Sequence, residues 1–226
     1  MIRDAENKSS EAQKLEMLKT GTTTIGMVIK DGVILATESQ ATAGFFVATK
    51  EAQKLFKINE HCGMTIAGGV ADCQYMVGQA QAISRLMEIQ HDGKEPTTSY
   101  IANIIRNIAF NGRSYFYSFM IVGGYDTKEK RGKIFPIDFI GYMAEQEDFA
   151  SLGSGSSFAL GVLEANYKQN MTEKQGIELV RQALTAAKNR DAGSGYGMQI
   201  CIITKKGFKA IERPKLARSL AVLLEK

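Results

Sequence analysis

A chain of 226 residues, 44% hydrophobic and 23% charged with only three prolines, has the composition of one folded domain, and no apolar run approaches the ~18 residues of a membrane-spanning helix. The net charge of +4 is scattered along the sequence, which speaks against a nucleic-acid-binding stripe. Three cysteines without paired spacing and two histidines leave little for a disulfide framework, a histidine-rich metal site or a Ser-His-Asp triad, so the base of any hydrolytic site here must be another group.

The first 21 residues are polar, with Asp4, Glu6, Glu11 and Glu16 against Arg3, Lys8, Lys14 and Lys19, and contain no apolar stretch of the kind a secretory signal needs. They read as a loose leader on a cytoplasmic protein. Regular pattern begins directly behind Gly21: Thr23 to Lys30 and Val33 to Glu38 are strands joined by the hairpin pair Asp31-Gly32. Lys54 to Ile58 and Met64 to Ala67 form a second hairpin about a turn at Asn59 to Gly63.

The period then changes from two to 3.6. Met76, Ala80, Ile83 and Met87 mark a helix from Asp72 to about Ile89, and Pro96-Thr97 opens another with Ile101, Ile104, Ile105 and Ile108 on one face. Strands return at Phe116 to Gly124, Lys133 to Ile137 and Phe139 to Glu145. Two helices follow, about Ser157 to Tyr167 and Glu173 to Asn189, the second with Thr172 as N-cap. Met198 to Thr204 and Phe208 to Ile211 form a closing hairpin, and Leu216 to Leu224 is a short amphipathic tail. Strand groups and helix pairs segregate, so the expected fold class is layered α+β, two antiparallel sheets face to face with a helix pair outside each.

A threonine hydroxyl attacks a carbonyl only if a base takes its proton. With histidine scarce, one available base is the residue's own α-amine, whose free pKa is roughly 7.7–8.0. At Thr22 that amine exists only after the Gly21–Thr22 bond is cut, so the leader would act as a lock, and Gly21 would leave the backbone room to bend. A Gly-Thr pair by itself equally marks a tail before an ordinary strand. Lys54 is an edge charge, or, if it points at Thr22 with Glu38 as partner, a group that lowers the pKa of the amine and hydroxyl. "IAGGV" (Ile66–Val70) marks a turn, or frees the Gly68 amide to donate to an oxyanion. "GSGSS" (Gly153–Ser157) lacks the lysine of a phosphate loop and reads as a helix N-cap, and "NRDAGSGYG" (Asn189–Gly197) reads as a helix end and loop.

As a set, "GTTTIG", "LATES", "KLFKI", "TIAGGVAD", "GSGS", "GVLEANY" and "RDAGSG" resemble a β-type subunit of the 20S proteasome, of the archaeal kind, from Gly21 to about Thr204. The resemblance implies the four-layer αββα sandwich of the N-terminal nucleophile hydrolases, a propeptide 1–21 removed by autocatalysis, and a catalytic domain 22–226 acting as a threonine endopeptidase without metal or cofactor. By matching position it implies Thr22 as nucleophile, Glu38 and Lys54 as an acid–lysine pair, and Gly68 as oxyanion donor. Ser156, Asp191 and Ser194 would hydrogen-bond around the terminal amine, and the backbone of Thr42 would align substrate as an added strand. Ala41, Ile66 and Val70 would line an apolar pocket that favours large hydrophobic residues before the cut. Two departures stand out: Glu38 where aspartate is commoner, and Gln40 where many members carry an arginine, a change expected to touch a surface or ring contact.

The implied partners are α subunits and other β subunits in stacked seven-membered rings, a regulatory ATPase acting through the α ring, and unfolded protein substrates, with no nucleic acid and no membrane. Two other readings stay open: an amidase or acylase of the same hydrolase class acting on small substrates without a barrel, and a non-catalytic ring subunit. A purely structural subunit has no physical need to keep Gly21, Thr22 and Lys54 together.

Overall fold

β1 (Thr24–Ile29) and β2 (Gly32–Glu38) pair antiparallel from Thr24↔Thr37 to Ile29↔Gly32 in the computed structural model, which describes residues 21–213. The leader before Gly21 and the amphipathic tail Leu216–Leu224 lie outside the described residues. The tight turn falls on Lys30-Asp31, one residue earlier than expected, because Gly32 is itself a strand residue. A Cβ there would come within 2.0 Å of the Ile203 carbonyl on the neighbouring strand, so close approach and not turn geometry selects glycine.

β3 (Ala41–Ala43) and β4 (Phe46–Thr49) make a small exposed hairpin of their own. β5 (Leu55–Asn59), β6 (Cys62–Gly68), β7 (Ser118–Asp126) and β8 (Arg131–Ile137) form a four-stranded antiparallel sheet in that order. The other sheet, ordered β11-β10-β2-β1-β9, adds β9 (Phe149–Leu152), β10 (Met198–Thr204) and β11 (Gly207–Glu212). α1 (Val70–Gln90) and α2 (Thr98–Asn111) connect β6 to β7, and α3 (Ser156–Asn166) and α4 (Glu173–Arg190) connect β9 to β10.

Alternation along the strands sorts the core into three layers. Met64, Ile66, Met120 and Val122 pack outward onto Met76, Ala80, Ile101 and Ile105 of α1 and α2. Ile25, Met27, Ile34 and Ala36 pack onto Leu163, Val180, Ala183 and Leu184 of α3 and α4. Val33, Leu35, Ile121, Ile134, Cys201 and Ile203 fill the space between the sheets. β2 is therefore buried along its whole length, and the α+β sandwich of two antiparallel sheets flanked by helix pairs is the observed fold.

One expected element needs correction, and one strand was not expected. Phe139 to Glu145 is not a strand: Asp138 Oδ1 accepts the backbone N–H groups of Ile140 and Tyr142, Gly141 takes φ +84°, and only single bridges such as Ile137↔Met143 remain. The strand that edges the first sheet is β9, pairing Met27↔Phe149 to Thr24↔Leu152. The Thr172 cap is a full capping box with Gln175. Among the described residues no helix is long and apolar enough to cross a membrane.

Candidate active site

Thr22 lies one residue before Thr23 and the start of β1, at the junction of both sheets, and is 3% exposed. Thr22 Oγ1 donates to the Gly21 carbonyl at 2.5 Å. Gly21 packs on Gly193 so tightly that a Cβ would come within 2.0 Å of the Gly193 Cα. Glycine at this position thus serves a backbone contact spanning most of the sequence.

Lys54, between β4 and β5, reaches the same hydroxyl. Its Nζ donates to Thr22 Oγ1 at 2.8 Å and to Glu38 Oε1 at 2.5 Å. Gln199 on β10 holds the base of this lysine: its Oε1 accepts the N–H groups of Lys54 and Leu55 at 3.0 and 3.2 Å, and its Nε2 donates to the Ala52 carbonyl. Glu38 ends β2 fully buried. Beyond Lys54, its carboxylate accepts the backbone N–H groups of Thr23, Gln40 and Gly195 at 3.3, 2.6 and 3.1 Å. Burial is the main influence on both groups. It pushes the Lys54 pKa down against the pull of Glu38, and pushes Glu38 up against the pull of Lys54 and the amides. The ammonium that touches Thr22 therefore holds its proton less firmly than a surface lysine does.

On the other side of Thr22, its N–H donates to Ser154 Oγ at 3.1 Å. Asp191, which follows the last residue of α4, accepts from Ser154 Oγ and from Ser194 Oγ, each at 2.6 Å. Because a carboxylate only accepts, the direction of the remaining bond is fixed: Thr23 Oγ1 must donate to Ser194 Oγ at 2.7 Å. Asp191 thus acts on the Thr22 nitrogen through a serine. That serine is Ser154; the expected Ser156 is instead the first residue of α3, and α3 takes no side-chain cap from this loop. A Cβ at Gly153, which has φ +102°, would meet the Thr22 carbonyl at 2.1 Å, so it is this glycine that lets Ser154 reach Thr22.

Thr22 opens into a cleft of about 460 Å³, and all four residues expected to contact substrate (Ala41, Thr42, Ile66 and Val70) line it together with Lys54 and Gly68. A second cleft of about 700 Å³ meets it at Gly21, Thr42 and Gly68 and is walled by Phe45, Tyr117, Phe119 and Leu152. Gly68 has φ +116°, and a Cβ there would lie 2.3 Å from the Tyr117 carbonyl. Gly68→Ala should therefore lose roughly 1–3 kcal/mol to backbone strain alone, with a further loss from the clash. A thermal unfolding midpoint equal to that of the wild type would contradict this. His61 and His91 stand away from Thr22, His61 beside Glu95 and His91 on the Met87 carbonyl. Among the described residues no cluster of metal-ligating side chains is found.

Sequence reasoning missed Ser154, Gln199 and Gly195. Gln40, expected to touch a surface or ring contact, has its side chain buried within this chain between Thr42 and Ala192. A single polar residue in the apolar run "MQICIIT" was the one available signal for Gln199.

Comparison with known proteins adds an independent line. The family model described as "Proteasome subunit" matches residues 18–203. The chain is 40% identical over 201 residues to "Proteasome subunit beta" of Methanocaldococcus vulcanius, covering 88% of this chain and 89% of that protein. It is 42% identical over 207 residues to the protein of that name from Methanocorpusculum labreanum (91% and 96% covered) and 38% identical over 203 residues to that from Methanoregula boonei (89% and 94%).

Proposed function

The chain belongs to the proteasome subunit family, and on that premise we propose that it is a threonine endopeptidase whose nucleophile is released by cleavage of Gly21–Thr22. The observation that carries this reading is the hydroxyl of Thr22 in hydrogen-bonding contact with a buried lysine–carboxylate pair at the mouth of a cleft.

In the uncut chain the Thr22 nitrogen is an amide and takes no proton. For the first cut Thr22 Oγ1 bonds to the Gly21 carbonyl carbon as that carbon's bond to the Thr22 nitrogen breaks. The hydroxyl proton ends on the nitrogen, and water then frees residues 1–21 from the ester. Lys54 Nζ, 2.8 Å from the hydroxyl, favours the negative charge developing on Oγ1. Once residues 1–21 leave, the new α-amine stands beside Ser154 Oγ, which Asp191 orients. The amine, directly or through a water, then accepts the Thr22 hydroxyl proton as Oγ1 bonds to the substrate carbonyl carbon. The oxyanion is met by the Gly68 amide, an interaction worth roughly 3–4 kcal/mol in comparable sites. Collapse breaks the peptide C–N bond, and the leaving amine takes the proton held on the Thr22 nitrogen. Water then attacks the ester carbon, the amine taking one of its protons and returning it to Oγ1, which frees the acid product. The ammonium of Lys54, neutralised by Glu38, favours the negative charge developing on Oγ1 throughout.

The subunit would work in a barrel of stacked seven-membered rings with α subunits and other β subunits, fed with unfolded chains by an ATPase docked on the α ring, in the cytoplasm. Ala41, Ile66 and Val70 give the cleft an apolar wall, and Lys54, its one cation, is already paired with Glu38, so an acidic residue seated on that wall before the cut would lose its hydration. In particles assembled with an α subunit, peptides with leucine or phenylalanine before the cut should therefore react at least about tenfold faster than those with glutamate. Faster cleavage after glutamate would refute the pocket assignment. Assembled particles that cleave no peptide would favour a structural subunit, and amide hydrolysis by the isolated subunit would favour the small-substrate reading.

A further inference from the structure

Gln40 occupies the short step between β2 and β3 and is 5% exposed, yet nothing in the mechanism above uses it. Its side-chain amide nitrogen donates both hydrogens, to Thr42 Oγ1 and to the Ala192 carbonyl, each at 2.9 Å. Its backbone N–H donates to Glu38 Oε2 at 2.6 Å. Gly195 lies against the other end of the amide, where a Cβ would approach Gln40 Oε1 to 2.3 Å, and the Gly195 N–H shares Glu38 Oε2. One residue is thus tied at once to the carboxylate that holds Lys54, to the loop that carries Asp191 and Ser194, and to β3.

The last tie matters because β3 pairs only with β4, in a two-stranded sheet separate from both main sheets. A lone hairpin of this size is marginal without support. Thr42 borders both clefts beside Gly68, so its placement decides where an extended peptide can lie relative to Thr22. A neutral amide suits the position, because its one nitrogen supplies the two donors that Thr42 Oγ1 and the Ala192 carbonyl accept.

We infer that Gln40 is a positioning residue that fixes the substrate-aligning strand β3 to the Asp191 loop, setting how an extended peptide is held and leaving the reactivity of Thr22 unchanged. The inference rests on the hydrolase reading and deepens it, and two probes separate them. One is a hexapeptide with a central leucine, which needs β3. The other is a small β-lactone, which acylates a hydroxyl by ring opening and needs no extended alignment. In assembled, processed particles Gln40→Ala should raise KM for the hexapeptide about tenfold, the scale of one to two neutral hydrogen bonds, with kcat within about threefold. Acylation of Thr22 by the lactone should stay within about twofold of wild type. Thr42→Val, which removes the acceptor from the other side, should raise KM in the same way and decides the matter if the Gln40 variant fails to assemble. An unchanged KM in either assembled variant, or lactone acylation falling in step with peptide cleavage, would overturn the inference. A wild type that is neither acylated at Thr22 nor active on the peptide would defeat the hydrolase reading itself, and this inference with it.

Discussion

Lys54→Met should lower peptide hydrolysis by a factor on the order of 10³ or more and leave the leader attached. Electrostatic stabilisation contributes about 10²–10³ in comparable sites, and here it depends on one ammonium, 2.8 Å from Thr22 Oγ1, in the cut that frees the Thr22 amine and again in every turnover after it. The same change leaves the fully buried Glu38 without its cation, a loss of about 3–5 kcal/mol when one partner of a buried pair is removed. That loss should depend on pH with a definite sign. Burial already raises the Glu38 pKa above 4.5, and removing Lys54, which lowers it, raises it further. Above pH 4.5 the folded variant then binds more protons than the unfolded chain, so its stability falls as pH rises toward the folded-state pKa. Urea unfolding should show Lys54→Met closer to wild type at pH 5 than at pH 8. Equal deficits at both pH values would contradict the burial argument.

Thr22→Ala should leave the leader in place and reduce peptide cleavage to background, a loss of at least about 10⁴, as in other hydrolases stripped of the nucleophile. The fold should tolerate it. The hydroxyl accepts one bond from Lys54 and donates one to the Gly21 carbonyl, and Lys54 keeps its bond to Glu38, so a stability change of about 1–2 kcal/mol is expected. Thr22→Ser, which keeps the oxygen, should still be processed. The intact mass of the subunit isolated from assembled particles reads both results. A wild type that retained its leader there would indicate that Gly21 and Thr22 are structural.

The layered fold was legible because the long elements carry clear apolar patterns: β2, β7 and β10 are nearly continuous buried runs, and α2 and α4 each show one apolar face. β3 and β4 were not legible, being three and four residues long with little of either buried. β9, with four residues before a glycine-rich loop, was also missed, and apolar residues from Phe139 to Met143 suggested a strand where Asp138 organises a turn. At the site, Thr22, Glu38 and Lys54 stood out as candidates because each sits at an end of a readable strand, and the fold brings the three together. The choice between Ser154 and Ser156 was lost because it depends on the conformation of Gly153, which no periodicity encodes. Gly21 and Gly32 drew attention as flexible points, but each is required by a backbone that arrives from more than 150 residues away, Gly193 and Ile203 respectively. The burial of Gln40 within the chain was not legible for a similar reason: its partner Ala192 lies on a loop that only the fold brings near.

The most direct measurement takes the subunit beginning at Thr22, assembles it into particles with α subunits, and compares peptide hydrolysis when the Thr22 nitrogen is free and when it is acetylated. With assembly and the hydroxyl intact in both, the acetylated form is predicted to lose activity by at least about 10³, because an amide nitrogen takes up no proton. Equal rates would contradict the claim that cutting the chain creates the group that receives the threonine proton.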